Sequence, residues 1–367
     1  MRVLSAGFFL LFLWSTGSAQ QSPCGIPVNV IAPDLSSLSK ADADLVAARW
    51  KGYTKDGAHV TVSRESDWSW QADDYVSWLG GSVSANWKLV RRLPATAFVA
   101  EDKKHPLRVQ SAATDRGPRR VIFVVETGKG MPAKARKGES AAISHILSKA
   151  RPGDSFGLLT AVGSRVELRF GSSRDDIASA VEGLANAPSA KSDGQGVLGS
   201  VLEASTWFQP PQPGDSIFLV TTQLEGGNKA SFSSVRAALA VGRIRVFGFQ
   251  LAGDRLFLPT YPGSTEGSVS YFDKLFALTG STGGMAYLDV MGGPGEPTDS
   301  QLEDLRREAD TMYRAITEYY LLRLNSVGPR PVIDLAPAVR NQLPLARLLY
   351  PRYLPKCSST VSTPPED

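Results

Sequence analysis

Residues 119–131, which read RRVIFVVETGKGM, decide the fold. The run from Val121 to Val125 is entirely apolar, which is typical of a strand buried on both faces of a sheet. A polar loop that contains two glycines follows, and a segment with helical spacing of its apolar residues begins at about Lys134. A buried strand, a short loop and a helix form the first unit of an α/β fold.

The same alternation continues on the C-terminal side of this stretch. The predicted strands are Val121–Val125, Ser155–Val162, Val166–Phe170, Ser216–Thr221, Arg243–Leu251 and Tyr319–Leu324. The predicted helices are Lys134–Ala150, a helix that opens at Ser173, and Val197–Trp207, Phe232–Val241, Phe272–Leu278 and Ser300–Thr317. Strands that alternate with helices imply right-handed crossovers. The sequence therefore predicts an α/β domain over residues 117–326, with an open, doubly wound, mostly parallel sheet.

Two helix starts carry the signature of a capping box, in which a hydroxyl and an acidic side chain bind backbone amides reciprocally. We expect one at Ser173 with Asp176 and another at Ser300 with Glu303.

The segments on either side of this domain are β-rich. Residues 20–116 have strand-like composition and crowd five aromatic side chains, Trp68, Trp70, Tyr75, Trp78 and Trp87, into twenty positions. These rings either pack a small β layer or form a platform on which sugars stack. Residues 327–357 are predicted to form a C-terminal hairpin from Val332–Leu335 and Leu345–Tyr350, and the polar residues 358–367 a disordered tail.

Residues 1–19 have the composition of a signal peptide. A basic start at Met1-Arg2 precedes an apolar run from Val3 to Trp14, and small residues follow up to Ala19. The run is too short to cross a bilayer about 30 Å thick. Cleavage would export the chain, so we expect a periplasmic or secreted protein with no later membrane span, and a permanent anchor is the alternative.

Export also bears on whether the two cysteines form a disulfide. Cys24 lies near the start of the mature chain and Cys357 ten residues from its end. A pair of cysteines in an oxidising compartment predicts a disulfide between them, with two free thiols as the alternative.

Composition excludes several function classes. The chain has 40 Lys and Arg against 36 Asp and Glu, a net charge of +4 that is too small for a dedicated nucleic-acid binder. Three basic doublets, Arg91-Arg92, Lys103-Lys104 and Arg119-Arg120, form either one patch for an acidic partner or separate solvated faces. The three histidines show no metal-ligand spacing.

Two motifs resemble those of enzymes, but each lacks the structural context that the enzyme motif requires. Gly128-x-Gly130-x-x-Ala133 resembles a dinucleotide fingerprint, but no acidic residue ends the second strand at Thr160–Gly163. Ser140, within Gly138–Ala141, falls inside a helical segment, whereas a nucleophile elbow requires a strand-to-helix turn. We therefore predict no catalytic residue and no enzymatic activity.

Several stretches together resemble a von Willebrand factor type A domain, and more narrowly the VWFA-related acidobacterial domain group. They are the first strand with its loop ending in Met131, Ala72–Val76, Leu278–Gly280 with Gly283-Gly284, and Tyr313–Leu322. The resemblance implies an open α/β fold and a role in binding a ligand or a partner, often through a metal held at the carboxyl edge of the sheet.

This sequence departs from the family's metal site at each matched position. The family motif Asp-x-Ser-x-Ser is replaced by Glu126–Gly130, its threonine by Gln195 or Gly196, and its aspartate by Thr222, followed by Gln223. Mg²⁺ needs nearly octahedral oxygen ligation, usually with one or two carboxylates. We therefore predict no metal and no cofactor. Lys129 either replaces the lost cation by pairing with Glu126 or points into water.

The predicted partner-binding loops comprise Glu126, Thr127, Gly128, Lys129, Gly130, Gln195, Gly196, Thr222 and Gln223. The predicted function is an exported, non-enzymatic protein-binding module with a degenerate metal site, whose unidentified protein partner belongs to the cell envelope. The alternative is a metal-dependent adhesion domain with a rearranged cation site, and a third possibility is a hydrolase or nucleotide-dependent enzyme.

Overall fold

The structure is a computed structural model of the 367-residue chain. It describes residues 25–34, 36, 40, 44, 86–103, 105–128, 131–163, 165–187, 196–222, 224, 230–252, 271–291, 295–325 and 330–354, with side chains for all of these except 86, 271–273 and 288–290. The predicted signal peptide, the two cysteines, the tail 358–367 and the aromatic residues from Trp68 to Trp78 lie outside the described residues. The expectations for them therefore stay predictions.

The strands are β1 (Gly25–Asp34), β2 (Asn86–Leu89), β3 (Phe98–Asp102), β4 (His105–Leu107), β5 (Val109–Asp115), β6 (Arg120–Glu126), β7 (Ser155–Ala161), β8 (Glu167–Leu168), β9 (Ser216–Thr221), β10 (Arg245–Ala252), β11 (Ala286–Val290), β12 (Tyr319–Leu324), β13 (Val332–Leu335) and β14 (Arg347–Leu349). The helices are α1 (Ala133–Lys149), α2 (Arg174–Asn186), α3 (Gly196–Ser205), α4 (Phe232–Gly242), α5 (Tyr271–Thr282), α6 (Asp299–Thr317) and α7 (Pro337–Gln342). Among the described helices, none is both long enough and apolar enough to cross a bilayer.

A six-stranded sheet forms the centre, in the order β11-β10-β9-β6-β7-β8. Its first five strands are parallel and the edge strand β8 is antiparallel. Side chains of β6 alternate between two cores. Val121, Phe123 and Val125 pack with residues of α1, α2 and α6, whereas Ile122 and Val124 pack with residues of α3, α4 and α5. Helices therefore cover both faces of the sheet, and the predicted mixed α/β class is confirmed.

The flanking segments form two further sheets, a five-stranded one with the path β14-β1-β12-β5 and β2 paired to β1, and a three-stranded one in the order β13-β3-β4. Here one expectation was wrong, because Tyr319–Leu324 is not the last strand of the central sheet. It pairs antiparallel with β1, with Gly25 opposite Arg323, and with β5 on its other side. The pairing buries Tyr320 and Leu322 in a third core made by the flanking segments.

The expected C-terminal hairpin was also wrong. β13 pairs with β3 and β14 pairs with β1, and α7 lies between them in the chain. Both strands therefore pair with strands that are distant in sequence. Ile333 and Leu335 of β13 are buried in the core of the flanking segments.

Several smaller expectations changed. The capping box of Ser173 and Asp176 is confirmed, but α6 is capped by Thr298 and Gln301 rather than by Ser300 and Glu303. The predicted strand Val166–Phe170 is only the two-residue β8. β11 was not predicted.

A buried arginine joins the flanking and central sheets at the end where the parallel strands begin. Arg245, the first residue of β10, is fully buried and donates to Asn29 Oδ1 of β1 at 2.7 Å and to the Ile316 carbonyl at 3.1 Å. Its guanidinium lies 4.5 Å from the centre of the Tyr319 ring. At the same end, Arg119 is 3% exposed and pairs with Asp115 at 3.0 Å. This arginine is therefore structural rather than part of a surface patch.

Candidate functional site

The candidate site lies at the carboxyl edge of the central sheet, where β6 and β9 end side by side. The register that places Val125 opposite Val220 brings the next residues of the two strands, Glu126 and Thr221, together. In open α/β sheets, ligands bind beyond this edge at the point where the strand order reverses. Here the chain leaves β6 for β7 on one side and later returns to β9 on the other.

Glu126 is held by the end of β9. Its Oε2 accepts hydrogen bonds from Thr221 Oγ1 at 2.8 Å, from the Thr222 amide at 2.7 Å and from Thr222 Oγ1 at 2.9 Å. The residue is 3% exposed. Hydrogen bonds to an ionised acceptor are about twice as strong as neutral ones, so these three donors stabilise a buried carboxylate. The predicted proximity of Glu126 and Thr222 is therefore present.

The residues after Glu126 lie against the end of β7. Thr127 donates its amide to the Ala161 carbonyl and its hydroxyl to the Val162 carbonyl, both at 3.0 Å. A Cβ on Gly128 would lie 2.7 Å from Val162 Cγ1, so a larger residue would displace the loop. The hydroxyl of Thr127 is thus committed to backbone and does not point freely out of the edge.

A second carboxyl group lies behind the first, on the buried face of α1. Glu139 is 2% exposed, and its Oε2 has no hydrogen-bond partner among the residues that the structure describes. Burial, and then the negative charge of Glu126, raise the pKa of the Glu139 carboxyl well above its ordinary value, and the nearby Arg136 opposes this only in part. The fold therefore favours the protonated form of Glu139.

Gln250, on β10, supports the loop after β9 from the other side. Its Nε2 donates to the Thr222 carbonyl at 3.0 Å, and the residue is 1% exposed. Thr222 is therefore fixed by both neighbouring strands: its amide and hydroxyl bind Glu126, and its carbonyl binds Gln250.

The other predicted site residues divide into two groups. Gly196 is the first residue of α3, buried and with a φ of 69°. Lys129, Gly130, Gln195 and Gln223 lie outside the described residues, so the pairing of Lys129 with Glu126 stays a prediction.

Three residues of the site were not predicted. Thr221 could have been found from the alignment of strand ends, since it is the last residue of β9 and Glu126 the last of β6. Glu139 stands three, four and seven residues before Ala142, Ile143 and Ile146 on the apolar face of α1, where a carboxyl group is unusual. Gln250 carries no such signal.

The oxygen atoms of the described site residues do not form a suitable ligand set for a divalent cation. Glu126 is the one carboxylate at the ends of β6 and β9 in the described residues, and its Oε2 is already bound to three donors. Within the described part of the chain, no group of three or more His, Cys, Asp or Glu side chains is placed to hold a metal ion. Mg²⁺ would need several oxygen ligands in octahedral geometry, which this arrangement does not offer.

The raised pKa of Glu139 has a consequence for stability. A carboxyl group with a raised pKa in the folded state contributes stability that is present below the unfolded pKa and is lost as the pH rises toward the folded value. We expect Glu139→Gln to remove this loss, so that the variant gains stability relative to the wild type between about pH 5 and about pH 8. Urea unfolding at both pH values measures the difference.

The matched control is Glu182→Gln, at an exposed position of α2, which should leave the pH dependence unchanged. An identical pH dependence in the wild type and in Glu139→Gln would contradict the prediction.

No protein-family model matches this sequence, and no curated protein matches it. Similar solved structures include proximal thread matrix protein 1 from the mussel byssus, at 13% identity and a TM-score of 0.40, which covers 59% of this chain and 50% of that one. A von Willebrand factor type A protein from Catenulispora acidiphila matches at 12% identity and a TM-score of 0.39, covering 61% and 47%. BatB from Bacteroides thetaiotaomicron matches at 17% identity and a TM-score of 0.35, covering 54% and 100%.

The matched region spans about half the length of the first two of these proteins. All three TM-scores are below 0.5. The structural neighbours thus include von Willebrand A domain proteins at low similarity.

Proposed function

We propose that this chain is an exported, non-enzymatic protein-binding module of the von Willebrand A type, which binds its partner at the carboxyl edge of the central sheet without a metal ion. The central sheet is, in this proposal, the family's doubly wound sheet with an antiparallel edge strand. The partner is a protein of the cell envelope, since residues 1–19 have the composition of a signal peptide.

The observation that carries the proposal is the hydrogen bonding of Glu126. Three donors from Thr221 and Thr222 occupy the carboxylate oxygen that would otherwise face a cation. Because the Glu126 carboxylate is hydrogen-bonded within the protein, the carboxyl edge of the sheet holds its conformation without a metal ion. The loops that contain Lys129 and Gln223 then supply the contacts to the partner.

A metal-dependent adhesion domain is the competing function. It would require Glu126 to exchange these donors for a cation. The described residues add no second carboxylate at the strand ends that could complete such a site, because Glu139 is buried on α1 with its pKa raised.

Capture from an envelope extract by the immobilised protein tests the proposal. We expect one partner to be retained equally in EDTA and in Mg²⁺, and the double variant Lys129→Ala with Gln223→Ala to retain at least about fivefold less, as for the loss of interface contacts that contribute about 1 kcal/mol. The control Arg108→Gln changes an exposed residue between β4 and β5 and should retain as much as the wild type. Capture that EDTA abolishes, or that the double variant leaves unchanged, would contradict the proposal.

A further inference from the structure

The strand β5 forms an open edge of the five-stranded flanking sheet. Among the described strands, β5 pairs with β12 alone, and no strand lies on its other side. The pairing is regular over residues 111–115, since the register shifts only beyond this run, between Arg323 and Leu324. The run contains no lysine, arginine or proline, and Ala113 and Thr114 are exposed. It is therefore an edge that suits a further strand.

The direction of the backbone groups in these strands follows from one hydrogen bond to β1. The Val90 amide, directly after β2, donates to the Val30 carbonyl at 2.8 Å. β2 and β12 lie on the same side of β1, because β14 occupies the other side. Alternate residues of a strand direct their backbone groups to opposite edges, so Val28 faces β12, where it lies opposite Tyr320. Tyr320 therefore faces β1, and its neighbour Leu321 faces β5.

The same alternation shows which groups of β5 point outward. Ala113 lies opposite Leu321, so its backbone groups face β12. Its two neighbours, Ala112 and Thr114, therefore direct their N–H and C=O groups away from β12. Within the described part of the chain, no backbone hydrogen bond reaches these outward groups. They are available to the backbone of another strand.

The neighbouring three-stranded sheet, in contrast, has protected edges. The Ile333 amide of β13 donates to Tyr350 Oη at 3.0 Å. The Leu335 amide donates to Asp334 Oδ1 at 2.7 Å. The opposite edge strand, β4, contains Pro106. Committed amides and proline are usual ways of preventing an edge strand from pairing, and the described residues provide neither for the regular run of β5.

A second copy of the same strand fits this edge by symmetry. In a twofold antiparallel pair, the residue on the axis lies opposite itself, and its neighbours pair reciprocally. An axis at Ala113 pairs the regular run 111–115 with itself. Ala112 then exchanges two hydrogen bonds with Thr114 of the second copy, and Thr114 exchanges two with the other Ala112. An axis at Ala112 or Thr114 would instead extend the pairing to residue 110, beside the irregular register, or to residue 116, outside the strand.

The side chains are compatible with this register. Ala113 would face itself as a pair without hydrogen bonds, at a Cα separation of about 4.5 Å, which its small side chain allows. Ser111 would lie opposite Asp115 of the second copy. No like charges are therefore opposed within the run, whereas like charges directly opposite each other destabilise a sheet.

We propose that this protein forms a twofold dimer in which β5 pairs antiparallel with β5 of a second copy, with the axis at Ala113, so that the two five-stranded sheets become continuous. The pairing does not involve the carboxyl edge of the central sheet. It therefore does not depend on the proposed function.

Sedimentation velocity of the purified protein between about 1 and about 200 µM tests the proposal. We expect the wild type to convert from monomer to dimer with a Kd below about 100 µM. Ala113→Lys and Ala113→Glu should each raise this Kd at least about tenfold, because each places like charges opposite each other on the axis. An equimolar mixture of the two variants should recover the dimer, since lysine then lies opposite glutamate.

The matched control is Ala338→Lys, which makes the same change at an exposed position of α7 and should dimerise like the wild type. Thermal unfolding shows whether each variant remains folded. Hydrogen exchange followed by mass spectrometry should show two further protected amides in residues 109–115 at high protein concentration, those of Ala112 and Thr114.

Three results would overturn the proposal. The first is a wild type that stays monomeric at about 200 µM. The second is a dimer that either charged variant at position 113 leaves intact, or that the mixture fails to recover, because a different surface or register would then hold it. The third is equal protection of the two amides at low and high concentration, which would place another segment of this chain on the edge.

Discussion

Arg245→Ala is expected to lower the free energy of unfolding by about 4 kcal/mol, through the cavity and the unpaired acceptors that it would leave. Arg245 is fully buried, and burial lowers its pKa to about 10, so the guanidinium remains charged at neutral pH. It donates to Asn29 Oδ1 and to the Ile316 carbonyl. Truncation would leave these acceptors without their donor and separate the flanking sheet from the central one.

Urea unfolding followed by circular dichroism measures this loss, and two further variants separate its causes. Arg245→Met keeps most of the volume and removes only the charge and the hydrogen bonds, so about half of the loss, roughly 2 kcal/mol, should remain. Arg323→Ala, at an exposed position of β12, should change stability by less than about 0.5 kcal/mol. A loss below about 1 kcal/mol for Arg245→Ala would show that the arginine does not join the two sheets.

Glu126→Ala is expected to lower the free energy of unfolding by about 3 kcal/mol, since the Thr222 amide and the hydroxyls of Thr221 and Thr222 lose a charged acceptor. Thr221 and Thr222 both donate to Glu126 Oε2 at 2.7–2.9 Å. Glu126→Gln retains one carbonyl oxygen of the same shape and should cost about 1 kcal/mol. The same urea experiment compares the two variants.

This prediction distinguishes two roles for Glu126, a structural carboxylate and a ligand for a metal ion. A ligand awaiting a cation is usually destabilising to the fold, because its charge is desolvated without a partner. If Glu126→Ala were as stable as the wild type or more so, the three hydrogen bonds would not be the role of this residue.

The sequence was most informative where local pattern alone determines structure. The apolar run Val121–Val125 predicted β6, and Ser173 with Asp176 predicted the start of α2. Partners that come from distant parts of the chain were beyond such reasoning. Tyr319–Leu324 has the composition of any buried strand, and only the presence of β1, nearly 300 residues earlier, places it in the flanking sheet.

The candidate site shows the same division. Glu126 and Thr222 were predicted to lie in one site because both match positions of the family's metal site, and they are hydrogen-bonded to each other. The role of Thr221 as donor and the burial of Glu139 depend on which way side chains point, which a strand boundary does not give. Arg245 was not predicted as a buried residue, because its partners Asn29 and Tyr319 lie at opposite ends of the sequence.

Calorimetric titration of the protein with Mn²⁺ and Mg²⁺ tests the central claim most directly, because it asks whether Glu126 is committed to protein donors or available to a cation. We expect no binding in the micromolar range for the wild type, and the same result for Glu126→Ala. Micromolar binding by the wild type that Glu126→Ala abolishes would contradict the claim and establish a metal site at the carboxyl edge of the sheet.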